Sequence, residues 1–213
     1  MVKRKINKKK MLWIVLGLCI VTIAGFAITI VSIDSYQYRR NQKVMKGLLT
    51  DNVSSRTLVV FFSRSGNTEL MARKITALKQ AHLIPIQSKR NNIGVKGWIE
   101  ALMDARKAEA EISPAKIDLS EYDTIYIGSP IWLYSPAPQV FEFARRNDFM
   151  GKKVVLFNSM NSKFEQKYID DFKSIIEQNG GTFEKHIYIV RGRMTQQMDV
   201  DSFLKETEKL LTN

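Results

Sequence analysis

Apolar and polar positions divide this chain into two regimes. From Met11 to Ile33, 23 residues pass without one charged side chain. From Thr57 onward, short apolar runs alternate with amphipathic stretches. The runs, rich in β-branched and aromatic residues, cover 57–62, 83–87, 124–128, 153–158 and 185–190 and predict five strands. The stretches at 68–80, 97–110, 138–146, 163–178 and 200–211 carry apolar residues at helical spacing and predict five helices. Strands alternating with helices imply an α/β fold, a parallel sheet covered on both faces. The second run is the weakest strand, because Pro85 interrupts "LIPIQ" and a proline there suits a sheet edge.

The uncharged segment sets the domain organisation. As a helix it is about 34 Å long, enough for a hydrocarbon core of roughly 30 Å. A secretory signal has an apolar region of only about 7–15 residues and a small-residue cleavage site. Here bulky residues follow Gly25-Phe26-Ala27, and Leu18 precedes Cys19 where a lipoprotein signal needs a small residue, so an uncleaved anchor is favoured over a cleaved signal. The chain therefore divides into a basic flank (1–10), a transmembrane helix (11–33), a juxtamembrane helix or tether (34–56) and a doubly wound domain (57–213).

The formal charge of +12 changes meaning once it is divided along this boundary. Residues 1–56 carry eleven Lys and Arg against Asp34 and Asp51, whereas residues 57–213 carry 22 against 19 acids. The basicity belongs to the membrane flanks, where it suits anionic head groups. The domain itself has no basic block of the kind that grips nucleic acid. Six Lys and Arg precede the apolar span, while Arg39, Arg40, Lys43 and Lys46 follow it closely. That asymmetry modestly favours a cytoplasmic N-terminus in a single-pass protein, and the side of the domain stays open. Cys19 is the only cysteine, so there is no intrachain disulfide.

Candidate chemistry begins at the end of the first strand, in "VVFFSRSGNTELMARKI". A strand, a tight polar loop and a helix start gather free backbone N–H groups around one point, and the helix dipole favours an anion there. Gly66 permits the turn, and the hydroxyls of Ser63, Ser65 and Thr68 can donate to phosphate oxygens. The spelling is neither that of a nucleotide-triphosphate loop nor that of a dinucleotide fingerprint. Alone, the loop could be a capped βα turn. A second loop changes the balance: "YDTIYIGSPIWLYSPAP" ends a strand at Gly128 and continues with Trp132 and Tyr134 between prolines. In a doubly wound sheet, ligands sit outside the carboxyl ends of strands at the topological switch point, here between the first and third strands. A flat aromatic ligand with a phosphate tail fits both loops.

Ser-x-Ser-Gly-Asn-Thr after the first strand, together with "YDTIYIGSPIW", resembles the flavodoxin family over about residues 57–211. The resemblance implies a five-stranded parallel sheet of order 2-1-3-4-5 and flavin mononucleotide (FMN) as cofactor. It implies that Ser63, Arg64, Ser65, Gly66, Asn67 and Thr68 hold the phosphate. It places Ser129, Pro130, Ile131, Trp132 and Leu133 along the isoalloxazine, with Trp132 as the stacking ring, and Asn158, Ser159, Met160, Asn161 and Ser162 at the ring edge. This third loop departs from the glycine-rich form common in related proteins.

The function it implies is electron transfer by a membrane-anchored carrier, its partners being membrane lipid and a redox protein or small acceptor. The alternatives are an NAD(P)H-dependent FMN oxidoreductase reducing a quinone or other small acceptor, and a flavin-free interaction module. Other enzyme classes fit poorly. No Gly-x-Ser-x-Gly elbow is present, and a receiver domain needs acids where Ser63 and Ser129 stand. His186, in an apolar run, reads as structural or surface, Tyr126 and Phe157 as core.

Overall fold

The apolar span and the polar segment after it form one continuous helix, α1 (Lys8–Met45), which a short 3-10 turn (Lys46–Leu48) extends. The structure is a computed structural model and describes residues 8–48, 55–90, 92–107, 109–192 and 196–212. Residues 1–7 of the basic flank and 49–54 of the expected juxtamembrane segment lie outside the described residues. Leu12, Trp13, Ile14, Val21, Ile23, Phe26 and Ile28 all project outward from α1. The helix is long and apolar enough to cross a membrane.

Five parallel strands follow: β1 (Thr57–Phe61), β2 (His82–Pro85), β3 (Thr124–Trp132), β5 (Lys153–Met160) and β6 (Thr182–Val190), with β4 (Ser135–Pro136) a short addition to β3. Their order, β2-β1-β3-β5-β6, is the expected 2-1-3-4-5 arrangement with the Pro85 strand at an edge. Alternate residues of each strand face opposite sides. Leu58, Val60, Ile125, Ile127, Val154 and Leu156 face α4 (Pro138–Arg146) and α5 (Gln166–Gln178). Val59, Phe61, Tyr126, Val155, Phe157, Ile187 and Ile189 face α2 (Asn67–Lys79) and α6 (Val200–Thr212). Met45 of α1 is buried in this second layer, so the N-terminal helix belongs to the core as well as to the apolar span.

Four elements differ from the sequence pattern by three residues or more; the first is β6, which begins at Thr182 rather than 185. Strand β3 runs four residues past Gly128 to Trp132, then turns through Leu133 and Tyr134 to pair Trp132 with Ser135. Both turn residues adopt left-handed backbone (φ 43° and 74°), the geometry of a tight two-residue hairpin, although neither is Gly or Asn. Helix α3 covers Val95–Asp104 rather than 97–110. Arg90 and Lys107 both hold the Asp104 carboxylate, and the chain then leaves to pair Ser113 with Gln87. Helix α5 starts at Gln166, three residues later than the pattern suggested.

Candidate functional site

The carboxyl ends of β1, β3 and β5 converge on a cleft of about 260 Å³, close to the lower end of the roughly 300–1,000 Å³ typical of ligand pockets. One wall is the β1–α2 loop. Gly66 is the residue before α2 and sits at φ 85°, and no side chain caps the helix, which leaves its first-turn N–H groups directed at the cleft. The positive φ favours glycine, and a Cβ on Gly66 would also crowd the Asn41 side chain at 3.2 Å. The Ser63 hydroxyl accepts the Gly66 N–H at 3.2 Å, and the Thr68 and Ser159 hydroxyls bond across the cleft floor at 2.8 Å.

Charge on this wall comes from Arg64. Its guanidinium pairs with Asp34 of α1, and its Nη1 is buried with no hydrogen-bond partner. An orphaned buried donor beside an uncapped helix N-terminus is the donor set a phosphate monoester would complete.

A second wall is the β3–β4 hairpin. Trp132 is half-buried, its ring meeting Phe62 edge-on with centroids 5.5 Å apart. Behind it, Gly128 leaves room for the Phe157 ring, which a Cβ would meet at 2.0 Å. The hairpin base is fixed by polar contacts: the Ser129 hydroxyl accepts the Ala137 N–H at 2.7 Å and donates to the Pro130 carbonyl at 2.8 Å. Asn158 donates to the Ser129 carbonyl at 2.7 Å, and Nε2 of His186 donates to Asn158 Oδ1 at 2.8 Å.

Twelve of the sixteen residues put forward from the sequence line this one cleft: Ser63, Arg64, Ser65, Asn67, Thr68, Pro130, Ile131, Trp132, Leu133, Ser159, Met160 and Asn161. Four do not line it. Gly66 shapes the turn, Ser129 and Asn158 are buried behind the hairpin, and Ser162 is exposed beyond the rim. The sequence reading missed a third wall. Ile33, Asp34 and Gln37 of α1 and Trp98, Ala101 and Leu102 of α3 line the same cleft, with Gln197 at its edge. It also missed a support beneath the loop. Asn41 donates to the Ser65 carbonyl at 3.1 Å and to Asn67 Oδ1 at 2.9 Å, and the buried Arg191 donates to Asn67 Oδ1 at 2.5 Å. Burial and the nearby Arg40 pull the Arg191 guanidinium down to about 10. A Trp inside an amphipathic stretch was the available signal for α3. For α1 the sequence held none, since contact between a helix that precedes the domain and a loop 24 or more residues away leaves no local pattern.

His186 gives the site a pH-dependent support. Burial lowers it from 6.5 to about 4, so at neutral pH it is uncharged and its Nε2–H holds Asn158. The unfolded chain takes up this proton near pH 6.5 and the folded chain only near pH 4, so His186 makes stability fall as pH drops through that window. The slope is up to about 1.4 kcal/mol per pH unit. Denaturant unfolding between those limits should show this loss, and His186→Gln, which keeps a donor without the titration, should flatten it. An unchanged slope in the variant would place the titration elsewhere.

A doubly wound α/β domain with a phosphate-type loop after β1 and an indole loop after β3 belongs to the class that binds flat, phosphorylated ligands at a switch point. The flavodoxin family's sequence profile matches residues 56–197, and this chain belongs to that family. Solved structures agree in fold. A provisionally assigned flavoprotein of Bacteroides uniformis aligns with TM-score 0.55 at 20% identity, over 73% of this chain and 99% of that one. Another from Bacteroides eggerthii aligns with TM-score 0.53 at 21% identity, over 75% and 99%. A Lactobacillus acidophilus flavoprotein solved in complex with FMN aligns with TM-score 0.50 at 24% identity, over 63% and 93%. Comparison with curated proteins finds no match.

Proposed function

We propose that this chain is a membrane-anchored flavodoxin that binds FMN and transfers electrons. The observation that carries the reading is the convergence of the β1, β3 and β5 ends on one cleft with phosphate-type donors at one end and an indole at the other. The FMN complex of the Lactobacillus acidophilus relative supports the choice of cofactor. Ser63, Ser65, Thr68, the first turn of α2 and the unpartnered Nη1 of Arg64 would hold the phosphate. Pro130 to Leu133, with the Trp132 indole, would lie along the ring, and Ser159, Met160 and Asn161 would meet its edge. FMN supplies reversible electron uptake, and the protein supplies orientation and surroundings. The outward-facing apolar side chains of α1 support the anchor, which serves to hold the domain at a bilayer.

The test is the absorption spectrum of the full chain, solubilised in detergent with added FMN and then photoreduced. Flavin bands that bleach in two resolved one-electron stages are expected for a carrier. Bleaching in a single two-electron step, with steady NAD(P)H oxidation, would instead assign a reductase. A protein that stays colourless would reduce the domain to an interaction module. Trp132→Ala should weaken FMN binding about tenfold or more, because stacking of a planar base on an aromatic ring contributes about 1–3 kcal/mol. Unchanged affinity by flavin fluorescence titration would remove Trp132 from the site.

A further inference from the structure

Helix α3 is built with its apolar side outward. Its buried positions are Gly97, Ala101 and Asp104, two of them nearly without side chains. Val95, Ile99, Leu102 and Met103 follow the i, i+4, i+7, i+8 spacing of a single helical face, and all four are exposed, between 40% and 66%. Amphipathic helices on soluble domains turn such a face to the core. Here Gly97 and Ala101 make the contact, Trp98 turns to the cleft, and the large aliphatic side chains are left exposed, Leu102 at the cleft's edge. Four neighbouring apolar side chains form a patch, which is different from single exposed ones and marks a contact surface.

The position of α3 names what covers that surface. Trp98, Ala101 and Leu102 share the cleft with Ile33, Asp34 and Gln37. Ile33 is the last residue of the uncharged span that starts at Met11, and Asp34 is the first charge after it. Helices α1 and α3 are in contact, so α3 lies beside the turn of α1 that follows the end of the apolar span. Around the patch the charge is mixed on α3 itself, where Lys96 stands with Glu100 and the buried Asp104, and basic on the part of α1 that follows the span. Lys96 on α3 and Arg106 just beyond it are exposed, and Arg39, Arg40, Lys43 and Lys46 follow the span on α1. An apolar stripe with a Trp at its margin, held beside a basic segment of α1, suits a helix that lies in the head-group region of an anionic membrane.

We propose that α3 is a second membrane contact: it lies flat in the interface with Val95, Ile99, Leu102 and Met103 inserted, and it holds the mouth of the cleft at head-group level. Packing through Met45, Asn41 and Asp34 fixes α1 to the domain, but a single spanning helix would still be free to tilt and rotate in the bilayer. Two contacts, one spanning and one lying in the surface plane, fix its orientation. The proposal rests on the anchor reading of α1, and the experiment separates the two.

The full chain, with Cys19→Ala to remove its one thiol, receives a nitroxide at a single introduced cysteine. The positions are Ile23→Cys in the span, Ile99→Cys and Met103→Cys on the α3 face, and Lys173→Cys on α5 as a reference away from both. Each is reconstituted in vesicles of phosphatidylethanolamine and phosphatidylglycerol. Collision with oxygen, which concentrates in lipid, is compared with collision with a water-soluble nickel chelate by power saturation. Positions 23, 99 and 103 should favour oxygen, and position 173 should favour nickel. Oxygen access at 23 with nickel access at 99 and 103 overturns the α3 contact and leaves the anchor standing. Positions 99 and 103 shielded from both reagents mean that a protein, a second copy included, covers the face, and this also overturns the proposal. Nickel access at 23 removes the anchor and the α3 contact with it.

Discussion

A chain shortened to begin at residue 50 loses at least about 2–5 kcal/mol of stability relative to one begun at residue 34, the range measured for Met→Ala changes in cores. Neither keeps the apolar span, so both can be compared in water. The difference between them is the second half of α1. Met45 in that segment is 2% exposed, within a cluster that includes Val59, Phe61, Leu70, Met71 and Ile75, and Val44 and Leu48 pack against the same cluster. Deleting these residues uncovers one face of the sheet near the phosphate-type loop. Deletion also removes Asn41, whose amide donates to the Ser65 carbonyl and to Asn67, so the loop loses a support as well as a cover. Denaturant unfolding of the two chains measures the effect, and Met45→Ala in the longer chain isolates the packing share. Equal midpoints would mean that α1 merely tethers the domain. With the expected result, a domain cut at the family boundary is an incomplete protein, because the matched region begins only at residue 56.

That boundary shows where sequence reading succeeds and where it stops. The strand and helix alternation was legible because the sheet is buried on both faces, so its strands are unbroken apolar runs such as Leu58–Phe61 and Val154–Phe157. Pro85 reported the edge position for the same reason that it could not sit in the middle. The end of β3 was not legible. A hairpin that turns through Leu133 and Tyr134 uses left-handed backbone without the Gly or Asn that signals it, and Pro130 and Pro136 on either side read as loop. The end of α3 was lost to a different cause. Residues 105–110 are good helix formers, but Asp104 is held by Arg90 and Lys107, and tertiary contact overrides a weak local preference. In the site, the loops after β1, β3 and β5 could be found because glycine, hydroxyl and indole side chains stood at strand ends. The wall from α1 could not, since its residues look like an ordinary polar flank, and the wall from α3 was marked only by Trp98 in an otherwise ordinary amphipathic helix.

Arg191 belongs to the part that sequence did not reveal, and its replacement tests the electrostatics of the loop. Arg191→Met should weaken FMN binding about ten- to hundredfold while the ligand-free protein unfolds at nearly the same denaturant concentration. Arg191 is 3% exposed at the end of β6; among the described residues no carboxylate is within ion-pair distance of it, and Asp199 offsets its burial only from further away. The guanidinium donates to Asn67 and Asn41 and lies over the Phe203 ring at 4.7 Å. Burial holds its pKa down at about 10 from 12.5, so the charge persists at neutral pH at a cost of about 3 kcal/mol. Methionine removes that cost but leaves the buried Asn41 Oδ1 without this donor, which costs about 1–3 kcal/mol, so the two nearly cancel in the ligand-free protein. A phosphate on the loop changes the sum. Two unit charges attract by about 2 kcal/mol even at roughly 8 Å with an effective dielectric of about 20, and a tenfold change in affinity is about 1.4 kcal/mol. Methionine keeps the stem and its contact with Phe203 but has no charge, so the loss should fall on binding. Titration of apoprotein with FMN, beside unfolding of each ligand-free form, reads both quantities. A large fall in ligand-free stability would assign Arg191 to architecture, and undiminished affinity would separate it from the phosphate. The combination expected here, binding lost and stability kept, is what a buried cation held ready for an anion produces.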